Sequence, residues 1–96
     1  MLHFVFQSPI EIATLDRMEG GDVVVFFENS LYRLLKVGTF VAQLQEKTPA
    51  IRFCVLGDDL AVRGIAPAEL ARGLEVIDYA ELVGLTVANP AIQSWL

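Results

Sequence analysis

The chain has one cysteine and one histidine among its 96 residues. A lone cysteine excludes an internal disulfide and a multi-cysteine metal site, and it offers no argument for an oxidising compartment. The lone histidine, His3, has no Cys, Asp or Glu at ligand spacing, so no metal centre and no cofactor is expected. Basic residues are scarce as well: seven Lys and Arg stand against twelve Asp and Glu, a formal charge of -5. They are scattered singly, whereas a nucleic-acid binder carries a clustered basic footprint. Direct contact with RNA or DNA is therefore not expected. Long apolar runs are missing too. The densest, Val23 to Phe27, is far short of the roughly 18 residues a membrane span needs. The N-terminus lacks a basic segment, and Gln7, Ser8, Pro9 and Glu11 interrupt its apolar stretch early, unlike a signal peptide. The expected setting is the cytoplasm, without membrane contact.

What the chain has in excess is hydrophobicity, 54% of residues with a mean hydropathy of +0.51. Residues 1–96 are expected to form one domain, because so short a chain cannot supply two cores. A small domain has a large surface and should need more polar residues than this. Two features would account for the excess: a parallel sheet buried on both faces, and apolar surface that a partner covers.

Apolar strand-like runs alternate with helix-like stretches, the pattern of βαβ units. The expected strands lie near 2–6, 23–28, 51–56 and 74–77. The stretch from Ser8 reads as a helix start, with Ser8 as N-cap, Pro9 in the first position and Glu11 closing a capping box. Ile12, Leu15 and Met18 follow, and Gly20-Gly21 stops the helix. Val23 to Phe27, apolar at every position, reads as a strand covered on both sides. Asn29-Ser30 reads as turn and cap for a short helix bearing Leu31, Leu34 and Leu35 that Gly38 ends. A second helical piece is expected from Thr39 to Lys47, broken by Thr48-Pro49. After Ile51 to Leu56, Gly57-Asp58-Asp59 opens another helix, Asp59 and Arg63 have the spacing of a helical ion pair, and Gly64 ends it. Pro67 to Arg72 adds one turn. Asp78 caps a final helix with Tyr79, Leu82, Val83 and Thr86 on one stripe, and Asn89-Pro90 stops it. Ala91 to Leu96, ending in Trp95-Leu96, is expected to dock as a short fifth strand. The fold class is thus α/β, a three-layer sandwich with a mostly parallel sheet of four or five strands and helices on both faces.

No phosphate loop, glycine fingerprint or nucleophile elbow is present. Cys54 is the one strong nucleophile. Working residues of open α/β sheets sit beyond the strand ends, where a helix N-terminus favours the thiolate. Cys54 lies inside its strand, so core packing is favoured over a sulfur-carrying role. His3 is expected to make a structural hydrogen bond. Asp58, Asp59 and Asp78 each follow a strand and open a helix, so capping is the simplest role for all three. Tyr32 and Trp95 fit core or interface.

The chain resembles the DsrH/TusB family of sulfur-relay proteins nearly end to end. Leu2-His3 with Ser8-Pro9 is similar to the family's opening. Val23 to Tyr32 resembles its second strand and turn, although Asn29-Ser30 stands where Asp-Gly or a similar turn is common. CVLGDDLAVRG, Cys54 to Gly64, resembles a strand followed by Asp-Leu-x-x-Arg-Gly, with Asp59, Arg63 and Gly64 in the motif positions. GLEVIDYAELVGLT, Gly73 to Thr86, resembles the fourth strand and the Asp78-Tyr79 pair that starts the next helix. Ile92 to Leu96 is similar to the tail with its tryptophan, Trp95. Some members carry a cysteine on the first helix, and this chain has none there.

The resemblance implies a compact α/β fold and a non-catalytic, structural role. Related DsrE/TusD-like and DsrF/TusC-like subunits would complete a heterohexamer, and another subunit would hold the persulfide cysteine. The relay would feed 2-thiolation of the wobble uridine in tRNA or, in the other branch, sulfur oxidation. Two other readings stay open: a persulfide carrier using Cys54, and a homo-oligomeric domain outside the relay. Composition predicts a contiguous apolar patch, which with the resemblance implies a surface that pairs with itself in isolation and binds related subunits in the complex.

Overall fold

The computed structural model describes residues 1–35 and 38–96. Among these, the strands are Leu2–Val5 (β1), Val23–Phe26 (β2), Arg52–Leu56 (β3), Leu74–Ile77 (β4) and Ile92–Trp95 (β5). They alternate with α-helices Ile12–Asp16 (α1), Thr39–Glu46 (α2), Gly57–Val62 (α3) and Tyr79–Ala88 (α4), and 3₁₀ turns occupy Glu28–Leu34 and Pro67–Glu69. Every strand pairing is parallel, in the order β4-β3-β2-β1-β5.

Chirality dictates where the helices lie. Parallel crossovers are right-handed, so successive steps in one direction along a sheet put their helices on one face. The steps from β1 to β4 all run the same way, and α1, α2 and α3 share a face. The step from β4 back to β5 runs across the whole sheet, so α4 falls on the opposite face. Side-chain alternation sorts the core accordingly. Val5, Val24, Phe26, Phe53 and Val55 pack with Leu15, Leu31, Leu44 and Leu60 in the larger cluster. Leu2, Val25, Cys54, Leu56 and Ile77 meet Leu82 and Leu85 of α4 in the smaller one. The continuous apolar run of β2 follows from this two-sided burial.

Several local expectations change. The first helix does not begin at Ser8-Pro9: both are exposed, and α1 begins at Ile12 with Glu11 as a cap residue that makes no side-chain bond. Gln7 takes the capping role instead. Its Oε1 accepts from the Glu11 amide at 3.4 Å and the Thr14 hydroxyl at 2.8 Å. Met18 is buried beyond the end of α1.

Asn29-Ser30 is not an open turn. Ser30 is buried, and its Oγ lies 2.6 Å from the carbonyl of Phe27 and 3.3 Å from that of Val5. The left-handed residue in this connection is Glu28, at φ 56°. The helix read here is 3₁₀ and ends at Leu34, with Leu35 bridging Leu70. Its expected continuation to Gly38 runs through 36–37, outside the described residues. β1 and β2 end at Val5 and Phe26, β3 begins at Arg52, and the turn read over Pro67 to Arg72 is confined to Pro67–Glu69. On α4 the inward residues are Leu82 and Leu85, while Tyr79 and Val83 are exposed. Among the described residues no helix is long and apolar enough to cross a membrane.

Candidate functional site

The chemistry-bearing residues fall into three separate groups, and the sheet positions each one. Cys54 sits in the middle of β3, paired with Val25 and Glu75 in the neighbouring strands, on the face that α4 covers. The thiol is fully buried and lies 3.5 Å from Glu75 Oε2. Burial pushes its pKa up to about 12; Arg52 pulls the other way, and Glu75 adds to the rise. The nearby cation is engaged, since the Arg52 guanidinium donates to the Glu75 carboxylate and that pairing holds Arg52 above its ordinary value. A thiol becomes a nucleophile when it is exposed and its anion is stabilised. Neither condition holds here.

His3 anchors the second group. Its ring is buried between β2 and β5 and accepts the Trp95 Nε1–H at Nδ1, 3.1 Å away. An indole N–H can only donate, so the neutral imidazole carries its proton on Nε2, which donates to Asp22 Oδ2 at 2.7 Å. Asp22 also accepts from the Glu19 amide at 3.0 Å and the Met1 α-amino group at 3.1 Å. Burial alone would raise the Asp22 carboxyl, but the Glu19 amide, His3 and the α-amino group outweigh it and hold the carboxyl below its ordinary value. Trp95 lies 6.0 Å from the Arg17 guanidinium, and the two border a cavity of about 160 Å³ with Gln7, Glu11 and Thr14. The group is a latch between the two chain ends. With both imidazole nitrogens committed, His3 has no lone pair or proton to offer a substrate.

The third group joins α3 to the end of β2. Asp59 Oδ2 accepts from the strained Glu28 amide at 3.1 Å, and Oδ1 lies 3.5 Å from Arg63 Nη1. Arg63 Nε in turn donates to Asn29 Oδ1 at 3.2 Å. Gly64, at φ +66°, lets the chain leave α3 where a side chain would be strained. Asp59 is therefore a clamp on the neighbouring loop, not a cap, and α3 has no side-chain cap at all. Asp58 is exposed. Of the three aspartates read as caps, Asp78 alone makes that contact: its Oδ1 accepts from the Glu81 amide at 2.8 Å, and Glu81 Oε1 lies 3.4 Å from the Asp78 amide.

The structure does not bring these groups together. In an open α/β sheet the functional crevice forms beyond the strand ends where successive connections leave toward opposite faces. Here that point lies between β3 and β4, whose chains turn into α3 and α4. Gly57, Asp58, Asp78 and Tyr79 stand there, with no thiol, serine hydroxyl or imidazole among them. A cavity of about 460 Å³ opens at the other end, between Thr48 to Phe53 and Gly73 to Glu75. Its charged walls are Arg52 and Glu75, already bound to each other. Among the described residues no three His, Cys, Asp or Glu side chains converge as a metal site.

Asp22, Gln7 and Glu75 were not singled out by sequence, and none follows a recognisable motif. Asp22 reaches His3 only because β1 and β2 pair in parallel and bring the start of each strand together.

Comparison with known proteins yields a consistent set. The sequence model of the DsrH like protein family matches residues 6–92. Protein TusB of Cronobacter sakazakii is 30% identical over 98 residues, covering 99% of this chain and all of that protein. Protein TusB of Pectobacterium parmentieri is 31% identical over the same extent, and that of Escherichia coli K12 is 26% identical. Among solved structures, the ychN protein of E. coli superposes with a TM-score of 0.72 at 14% identity, covering 98% of this chain and 97% of its own. MTH1491 of Methanobacterium thermoautotrophicum, a protein of unknown function, superposes with a TM-score of 0.69 at 15% identity, covering 97% and 95%. At that identity the likeness establishes the fold alone.

Proposed function

The chain belongs to the DsrH family, and on that premise we propose that it is a non-catalytic, structural subunit of a cytoplasmic sulfur-relay complex. Residues 1–96 act as one domain in it. Related DsrE/TusD-like and DsrF/TusC-like subunits complete a heterohexamer, and a partner's cysteine carries the persulfide. The TusB relatives favour 2-thiolation of the tRNA wobble uridine as the pathway served. The observation that carries the reading is the state of Cys54. The chain's only cysteine is closed inside β3 beneath α4 with its thiol pKa pushed up to about 12, so sulfur cannot reach it without opening the sheet face.

The test is reconstitution with the related subunits, a sulfane-sulfur donor and an acceptor. Transfer should require this chain for full rate yet proceed equally well with Cys54→Ala. Mass spectrometry showing persulfide on Cys54 that chases into the acceptor would overturn the structural reading in favour of a carrier.

A further inference from the structure

Helix α4 is the least polar helix of the fold and among its least covered. Its sequence, YAELVGLTVA, has a single charged residue, Glu81, already committed to the cap at Asp78, and none of its residues is fully buried. Tyr79, Val83 and Val87, spaced four apart on the outward side, are 56%, 60% and 79% exposed. A surface helix ordinarily keeps its apolar stripe inward and charges outward. Leu82 and Leu85 supply the inward stripe, but the outward one is apolar as well.

The sheet beneath shares this incompleteness. Five strands about 4.8 Å apart make a face roughly 24 Å wide, whereas one helix covers about 10–12 Å. Among the described residues α4 alone spans this face, running from the C-terminal end of β4 to the N-terminal end of β5. The opposite face has α1, α2 and α3. What α4 leaves uncovered is partly aromatic: Phe4 and Phe27, 5.1 Å apart edge to face, are only half-buried, and Ile92 on the edge strand is 45% exposed.

From this geometry we infer that the outer face of α4, continued over Phe4, Phe27 and Ile92, is the docking surface for a related α/β subunit whose apolar face completes the missing helix layer. The inference rests on the subunit reading above and assigns the surface through which it works. Size agrees with such an occupant. The molecule measures 32 × 27 × 24 Å, so any one side projects at roughly 650–860 Å², against about 800 Å² per partner in a standard interface. Charge selects a different subunit over a second copy. Beside α4, Arg52 and Glu75 neutralise each other while Asp78 and Glu81 at the start of the helix have no basic partner of that kind, on a chain of net charge -5. Self-pairing sets two acidic rims together, while a related subunit with a neutral or basic rim meets no such repulsion.

The experiment co-expresses the full chain with the DsrE-like and DsrF-like subunits and measures assembly by sedimentation. The V83E/V87E variant changes only exposed side chains, so the chain alone keeps its circular dichroism, while its apparent affinity for the partners should fall at least 100-fold. V62E, at an 81% exposed position on α3, should assemble like the parent. Hydrogen exchange on the unsubstituted complex is an independent reading, and the α4 amides should slow on assembly. Assembly of V83E/V87E at parental affinity, or slowing confined to α3, would overturn the surface and leave the subunit reading intact. Failure of the parent chain to bind either subunit would overturn both. A self-dimer that V83E/V87E dissolves, with no binding of the related subunits, would replace the proposed occupant by a second copy.

Discussion

The two faces of the sheet differ in how far they are finished. On one, Phe26, Phe53, Leu31, Leu34 and Leu44 are inaccessible to water or nearly so beneath three helices and a 3₁₀ turn. On the other, α4 is the one helix among the described residues that lies over the strands, with half-buried Phe4, Val23 and Phe27 around it. The same strands supply both faces, by alternation, so the difference does not arise from their composition. It arises from the strand order, which sends three crossovers one way and the fourth back. The closed face holds the chain together, and the open face is what remains for a partner.

Core substitutions sharpen this contrast most. Phe53→Ala on the closed face should cost about 3–5 kcal/mol, because no neighbour can relax into the space. Leu82→Ala on the open face should cost the isolated chain about 1–2 kcal/mol, since that side chain is already partly in water. Urea denaturation of both variants checks the ordering, and equal losses would mean that the faces are equally tight.

Cys54 provides the next test, being sealed although it lies on the open face. Its folded pKa of about 12 stands above the ordinary 9.0 of the unfolded chain. Between these values the unfolded thiol ionises while the folded one keeps its proton. The contribution is therefore fully present below pH 9 and is lost as pH rises, at about 1.4 kcal/mol per pH unit. Cys54→Ala should lack this decline, so subtracting its stability curve from the parent's isolates the effect from tyrosine and lysine titration. A difference flat from pH 9 to 11 would show that water reaches the thiol through the open face.

The smallest expected effect concerns the placing of α4. Asp78→Ala removes the acceptor for the Glu81 amide and should lower stability by about 1 kcal/mol in thermal unfolding. No change would mean that packing of Leu82 and Leu85 alone seats the helix.

Much of the fold was legible because its signals are local. Apolar runs for β1 to β4, the cap at Asp78 and the stop at Gly64 each depend on a few adjacent residues. The misreadings share a cause: Ser8 and Asn29-Ser30 have the composition of caps and turns, but contacts that no cap or turn motif encodes decided how those segments are used. Gln7 reached Thr14, Ser30 turned inward to Phe27 and Val5, and Asp59 arrived from α3 to hold Glu28. The Ser30–Val5 and Asp59–Glu28 contacts span 25 and 31 positions, while the Gln7–Thr14 and Ser30–Phe27 contacts are close in sequence but follow no cap or turn motif. Cys54 was readable as a core residue from its place inside a strand, whereas its neighbours Arg52 and Glu75 required the β3–β4 register.

The sequence by itself determined the element types, the parallel class of the sheet and the presence of more apolar surface than a small domain can bury, since propensity, periodicity and composition are properties of the chain. Only the tertiary structure decided that His3 and Trp95 close one latch from opposite ends, and that Tyr79, Val83 and Val87 stand exposed along one side of α4. Those outcomes depend on strand order and crossover handedness, which bring together residues up to 92 positions apart.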